Sequence, residues 1–241
     1  MSRSPAVVGL VLALVLPLTA CDTPFGGSDP SPSRPASSSP SPEAEGAGRQ
    51  LTDEQAKAAL PTRPEGAMTA STTSTSDDRE TDPEECLDIL RLGPEETALR
   101  KVRVANATQS WSTRSPVITH TFRVDSYSRP VGSTLLDSAG AAMGNCQAFS
   151  LIGTDDDGPF DLRVLAEPRA LSTIGEQNFA VRIISFAQEN GKTSRVYLDY
   201  VVVRQGHNLV EVTSAHRVEG RGFGELEKSA QDMLDKLEET P

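Results

Sequence analysis

Three apolar segments, Phe179–Ala187, Ser194–Arg204 and Leu209–Arg217, follow one another closely. They are rich in Val, Ile and Tyr, the residues that fit a pleated, half-buried surface. Asn190-Gly191 separates the first two; such a pair accepts the backbone that a tight two-residue turn requires, and it is the strongest short hairpin signal. Gln205-Gly206-His207 separates the next two. An antiparallel three-stranded meander follows, and the rest of the fold must be built around it. A short apolar strand, Asp161–Glu167, precedes it. Residues 117–127 alternate as another strand, with Ile118, Phe122 and Val124 on one side and Thr119, Thr121, Arg123 and Asp125 on the other.

The remaining periodicity is helical. Thr52-Asp53-Glu54-Gln55 fits a capping box with Leu51 as the staple residue, and predicts a helix to Leu60 that Pro61 and Pro64 end. Asp82-Pro83-Glu84-Glu85 reads as a second helix start and Gly93-Pro94 as its stop, with Cys86, Ile89 and Leu90 on the buried side. After Pro130, apolar residues at Val131, Leu135, Ala139, Ala142, Cys146 and Phe149 recur at steps of three and four, a helical stripe. A last helix runs from about Phe223 to Leu237, with Phe223, Leu226, Ala230, Met233 and Leu237 on one face. Residues 62–82 are polar and Thr/Ser-rich, and fit a loop or an edge strand equally. The sum is an α+β fold: a single domain, an antiparallel β-sheet with flanking α-helices, expected on one side of the sheet.

The N-terminus carries an address. A cationic start at Arg3, an apolar run from Ala6 to Leu16 and small residues before a cut site are the parts of a secretory signal; the run is far short of the ~20 residues that cross a bilayer as a helix. Leu18-Thr19-Ala20-Cys21 resembles the bacterial lipobox. That resemblance implies diacylglyceryl transfer to Cys21, cleavage before it (residues 1–20 as signal peptide), palmitate-type acylation and anchoring on the extracytoplasmic face of the cell membrane. Two acyl chains suffice for stable anchoring. The alternative is an ordinary signal that ends beside a cysteine. Residues 21–49 are dominated by Pro, Ser, Gly and Ala, with little to bury, and read as a disordered tether biased toward extended polyproline II. The folded domain is assigned to residues 50–241.

Cysteine arithmetic agrees. There are three cysteines, and lipidation of Cys21 leaves Cys86 and Cys146, which outside the cytosol are expected to pair. Both fall on predicted apolar faces; two buried free thiols are the alternative. The formal net charge of −11 implies an acidic surface that repels phosphate backbones and anionic lipid heads, which argues against nucleic acid as a partner.

The layout resembles a known family. An exported stalk leads to the Leu51-Thr52-Asp53 helix and a first cysteine. Then come a strand ending in Val124-Asp125-Ser126-Tyr127, a helix ending in Cys146-Gln147-Ala148-Phe149, a hairpin pair and a C-terminal helix. Over residues 50–238 this is similar to the PknH-like extracellular sensor domain of some actinobacterial receptor kinases and free-standing lipoproteins. The resemblance implies an antiparallel sheet with flanking helices around a cleft, and a role in binding an envelope ligand. The chain lacks the second cysteine pair and the kinase domain of the receptor version, so no ligand-contact residue carries over.

No side-chain pattern points to catalysis. His120 lies among Ile118 and Phe122 and reads as structural; His207 falls in a turn and reads as a solvated tip; His216 ends a strand. None has partners at zinc-ligand spacing in the sequence. Asp155-Asp156-Asp157-Gly158 supplies oxygen donors but not the alternate spacing and distal Glu of a calcium loop, and reads as a turn. Gly220-Arg221-Gly222-Phe223-Gly224 precedes a helix without the context of a dinucleotide site. Glu84-Glu85 and Glu95-Glu96 sit at a helix start and just past a helix stop, and charge solvation and dipole complementarity account for the first pair. Trp111, the one tryptophan, could line a cleft but reads better as a partly buried structural residue. No catalytic residue, metal site or cofactor is assigned and the chain is expected not to be an enzyme. The expected function is ligand binding or sensing in the envelope; the alternatives are a protein-interaction or scaffolding module and, third, an envelope hydrolase.

Overall fold

The computed structural model describes residues 46–70, 79–91, 93–155, 158–189 and 192–239. Cys21, the signal and most of the tether therefore lie outside the described residues. So do Asn190-Gly191 and Asp156-Asp157.

Nine strands form one sheet: β1 (Met68–Thr69), β2 (Glu80–Asp82), β3 (Arg103–Ser112), β4 (Ile118–Tyr127), β5 (Ala148–Asp155), β6 (Gly158–Pro168), β7 (Gln177–Glu189), β8 (Lys192–Gln205) and β9 (Asn208–His216). Their order is β1-β3-β4-β9-β8-β7-β6-β5-β2, and every neighbouring pair is antiparallel. The expected meander is its centre: β7 and β8 pair through to Glu189 opposite Lys192, and β8 and β9 through to Gln205 opposite Asn208. Within residues 62–82, Met68–Thr69 and Glu80–Asp82 are edge strands, one at each end of the strand order, and residues 71–78 lie outside the described residues.

Four α-helices flank the sheet: α1 (Asp53–Ala59), α2 (Pro94–Arg100), α3 (Thr134–Ala142) and α4 (Gly224–Glu239). The capping box of α1 is complete, with Thr52 Oγ1 accepting from the Gln55 amide at 3.2 Å and Gln55 Oε1 accepting from the Thr52 amide at 2.9 Å. Helices cover both faces of the sheet rather than one. Along β8, Val201 and Val203 point into a core beneath α1 and α4, while Tyr200 and Val202 point into a second core with α3 and the disulfide. Strands with side chains packed on both faces explain why the apolar runs of β7 and β8 do not simply alternate.

Three further expectations change. Glu84–Asp88 is a 3-10 turn, and Gly93-Pro94 does not stop it but starts α2, with Gly93 at the cap and Pro94 in the first turn. The stripe from Val131 to Phe149 is buried throughout, yet the helix ends at Ala142; Cys146 lies in the loop beyond it and Phe149 is already in β5. The fold also begins before residue 50. Ala47 is buried, the Asn208 side chain donates to the carbonyls of Ala47 and Arg49 at 2.6 and 2.8 Å, and Gly206 meets Gly48 so closely that a Cβ there would lie 2.2 Å from the Gly48 carbonyl oxygen. Residues 46–49 thus belong to the domain and not to the tether.

Cys86 and Cys146 form a disulfide, 60 residues apart in sequence. It joins the 3-10 turn to the segment after α3 within the second core, and so fixes the chain that roofs one end of that sheet face.

Candidate functional site

The helices over the second face cover only part of it. Beside them lies a cleft of about 790 Å³, within the few-hundred to ~1,000 Å³ range of small-molecule sites. Its floor follows from strand register. One row runs Val181, Tyr200, Thr213, Thr121, Ser110 from β7 to β3, and the next runs Ile183, Leu198, Ala215, Thr119, Ser112. Each row therefore passes from aliphatic or aromatic side chains on β7 and β8 to hydroxyls on β4 and β3. Ser110 pairs with Thr121 and Ser112 with Thr119, each at 2.8 Å between hydroxyl oxygens. The polar face expected of residues 117–127 is this floor.

At one end the cleft becomes ionic. Arg91, 5 % exposed, donates Nε and Nη2 to the Glu96 carboxylate at 2.7–2.9 Å and Nη1 to Glu211 Oε2 at 2.6 Å. Asp125, 1 % exposed, accepts from Arg123 at 2.8 Å, Arg103 at 3.3 Å and Asn106 Nδ2 at 2.5 Å. Arg100 approaches Glu96 at 3.5 Å. Burial opposes the Arg91 charge, but Tyr200, Glu211, Glu96 and Tyr127 outweigh it and hold its pKa well above the ordinary arginine value. Burial likewise pushes the Tyr200 and Tyr127 hydroxyls up, so both stay protonated at neutral pH. Arg91 also has a left-handed backbone, φ 55°, a conformation rare for a residue with a side chain. Its ion pairs hold it there.

A second polar cluster sits on the opposite face. Arg182 donates to both oxygens of Asp199 at 2.6 and 2.7 Å, and His216 Nε2 lies 3.0 Å from Asp199 Oδ2. The strand-end His216 thus has a carboxylate partner that sequence spacing did not reveal. The Val218 amide donates to His216 Nδ1 at 3.2 Å, so Nδ1 is an acceptor and Nε2 carries the proton to Asp199. Both ring nitrogens are engaged and the imidazole is 3 % exposed, which gives this pair the geometry of a structural clamp and not of a general base. Tyr197 stacks on the ring, and Arg221, in the glycine-rich segment before α4, receives Arg182 on its carbonyl oxygen at 2.6 Å.

The other singled-out residues fall as follows. Trp111 is buried against Phe122, ring centroids 4.5 Å apart, on the first-core face and away from the cleft. His120 adjoins both rings. His207 is half-buried instead of a solvated tip, with Nδ1 2.8 Å from the Tyr127 carbonyl oxygen. Asp155 and Gly158 face each other where β5 meets β6, as expected of a turn. Glu96, placed by the sequence just past a helix stop, lies in α2 and is the buried partner of Arg91. Among the described residues no group of three His, Cys, Asp or Glu could hold a metal ion, and no helix is long and apolar enough to cross a membrane.

Fold and cleft together define an α+β domain whose large antiparallel sheet presents one partly uncovered face. Among solved structures, the chain is similar to the extracellular domain of PknH from Mycobacterium tuberculosis, with a TM-score of 0.55 and 10 % identity over 80 % of this chain and 100 % of that one. At that identity the likeness is one of fold, and it matches the layout read from the sequence. No family model matches the chain, and no curated protein matches it.

Proposed function

We propose that this protein is an extracytoplasmic lipoprotein, anchored through Cys21, whose domain binds a ligand of the cell envelope in the cleft on the sheet. The observation that carries the reading is the cleft of about 790 Å³, on a fold shared with an extracellular domain. The signal-like start, the lipobox-like Leu18–Cys21 and the disulfide support the address.

Two experiments test it. Cys21→Ser should abolish incorporation of labelled palmitate and release the protein from the membrane fraction; full retention and labelling would refute the anchor. Native mass spectrometry of the protein purified from its own envelope should show a bound small molecule that Ala215→Trp, which fills the cleft floor, removes. A bound species untouched by that substitution would refute the cleft, and capture of a protein partner alone would favour the scaffolding alternative.

A further inference from the structure

We propose that the cleft takes an anionic amphiphile, with a phosphate or carboxylate at its arginine end and an aliphatic part along β7 and β8. This rests on the cleft being the binding site.

The charge distribution carries the argument. The whole chain has a formal net charge of −11, yet the cleft reverses that sign. Five arginines line it, Arg79, Arg91, Arg100, Arg103 and Arg123. Against them stand Glu96 and Glu211 in the lining and Asp125 just behind it. Cations therefore exceed carboxylates inside the concavity, while the rest of the surface must carry the acidic excess. A cleft of one sign set in low-dielectric walls focuses its field and draws ligands of the opposite sign.

The arginines also differ in how far they are satisfied. Arg91 is saturated by carboxylates and serves as the framework. Arg103 and Arg123 share the single Asp125 carboxylate, and their side chains keep 33 % and 25 % of their exposure. Arg123 Nε and Arg79 Nε are buried without a hydrogen-bond partner, so these two guanidinium groups meet the cleft through their other nitrogens. Guanidinium groups that keep part of their surface open in a half-enclosed space match the planar, two-oxygen geometry of carboxylate and phosphate. Thr108, across from Arg123 in the register, adds a hydroxyl beside them.

The other half of the floor excludes a purely ionic ligand. Val181, Ile183 and Leu198 line it with no charge among them, and Leu90 adds to the wall. Burying an aliphatic chain there yields roughly 0.8 kcal/mol per methylene, whereas a free inorganic anion would leave that half unused. An anion at one end and hydrocarbon at the other fit the lining together.

Calorimetric titration of the full protein with n-decyl phosphate, n-decyl maltoside and inorganic phosphate, each kept below micelle formation, tests this. The expected result is that decyl phosphate binds about tenfold tighter than either of the others, and that added salt weakens it. Arg123→Gln and Arg103→Gln should each weaken decyl phosphate about tenfold and leave decyl maltoside unchanged. Arg103, at the rim, keeps the test valid if Arg123→Gln fails to fold. Equal binding of decyl maltoside and decyl phosphate, still abolished by Ala215→Trp, would overturn the anionic ligand alone. Inorganic phosphate binding as tightly as decyl phosphate would overturn the amphiphile in favour of a free anion. Decyl phosphate binding unaffected by Ala215→Trp would overturn the cleft as the site, and no binding of any probe would overturn the proposal.

Discussion

Replacing Glu96 with alanine tests whether the ionic end of the cleft is a structural framework. In the native protein the Glu96 carboxylate is buried and takes three short contacts from the Arg91 guanidinium. Removing it leaves a buried cation short of its main partner, and breaking such a pair costs about 3–5 kcal/mol. Arg91 keeps Glu211 at 2.6 Å and Asp125 at 4.0 Å, so the lower end, about 3 kcal/mol, is expected. In a domain of this size each kcal/mol moves Tm by about 2–4 °C, so Tm should fall by about 6–12 °C. The control is the neighbouring Glu95, exposed in the first turn of α2; its alanine variant loses only a helix-dipole contribution of about 0.3–1 kcal/mol. Urea unfolding followed by circular dichroism, together with thermal melts at neutral pH, measures both. If the two variants lose the same stability, Arg91 is not held by Glu96 and the reasoning fails.

Other outcomes follow from the same structure. Alkylation under denaturing, non-reducing conditions should spare Cys86 and Cys146, and replacing both with alanine should remove about 4 kcal/mol, the chain-entropy value for a loop of 60 residues; labelling of either thiol would contradict the bond. Gly206→Ala should destabilise by about 2 kcal/mol or more, because φ is +55° and the new methyl meets the Gly48 backbone; an unchanged urea midpoint would refute that packing. Burial, with Arg221 and His216 adding to it against the opposing Glu225, lowers the His120 pKa. The unfolded chain therefore takes up that proton first, and the contribution of His120 is complete above about pH 6.5 and lost as pH falls through the lower folded value. Wild type should lose stability over that window relative to His120→Phe, and parallel pH profiles would refute it.

The parts legible in the sequence were those set by neighbours along the chain. The capping box at Thr52–Gln55, the turn at Gly206-His207 and the face of α4 are local, and the pairing of Cys86 with Cys146 needed only a count and a compartment. β3 escaped because its inward positions include Ala105 and Ala107, too small to mark an apolar period. β5 was hidden by coincidence: Cys146 and Phe149 continue the spacing of α3 after the helix has ended. Gly93-Pro94 carries both a stop and a start signal, and only the packing of Leu99 and Glu96 selects the start. The cleft was half visible, as the polar face of β4. Its ionic end was not, since Arg91 meets Glu211 across 120 residues and Asp199 meets His216 through the register of β8 and β9, which pairs Asp199 with Ser214.

The rims of the sheet bear on how copies of this domain can meet one another. An unpaired edge strand is a template on which another chain can add a strand of its own. Here the rims end in β1 and β2, of two and three residues, and further along β3 the Asp53 carboxylate occupies the Asn106 amide at 2.9 Å. At β1 and β2 themselves another copy finds only two and three residues of backbone to zip onto. Strand addition between copies of this domain at those two short rims is therefore disfavoured.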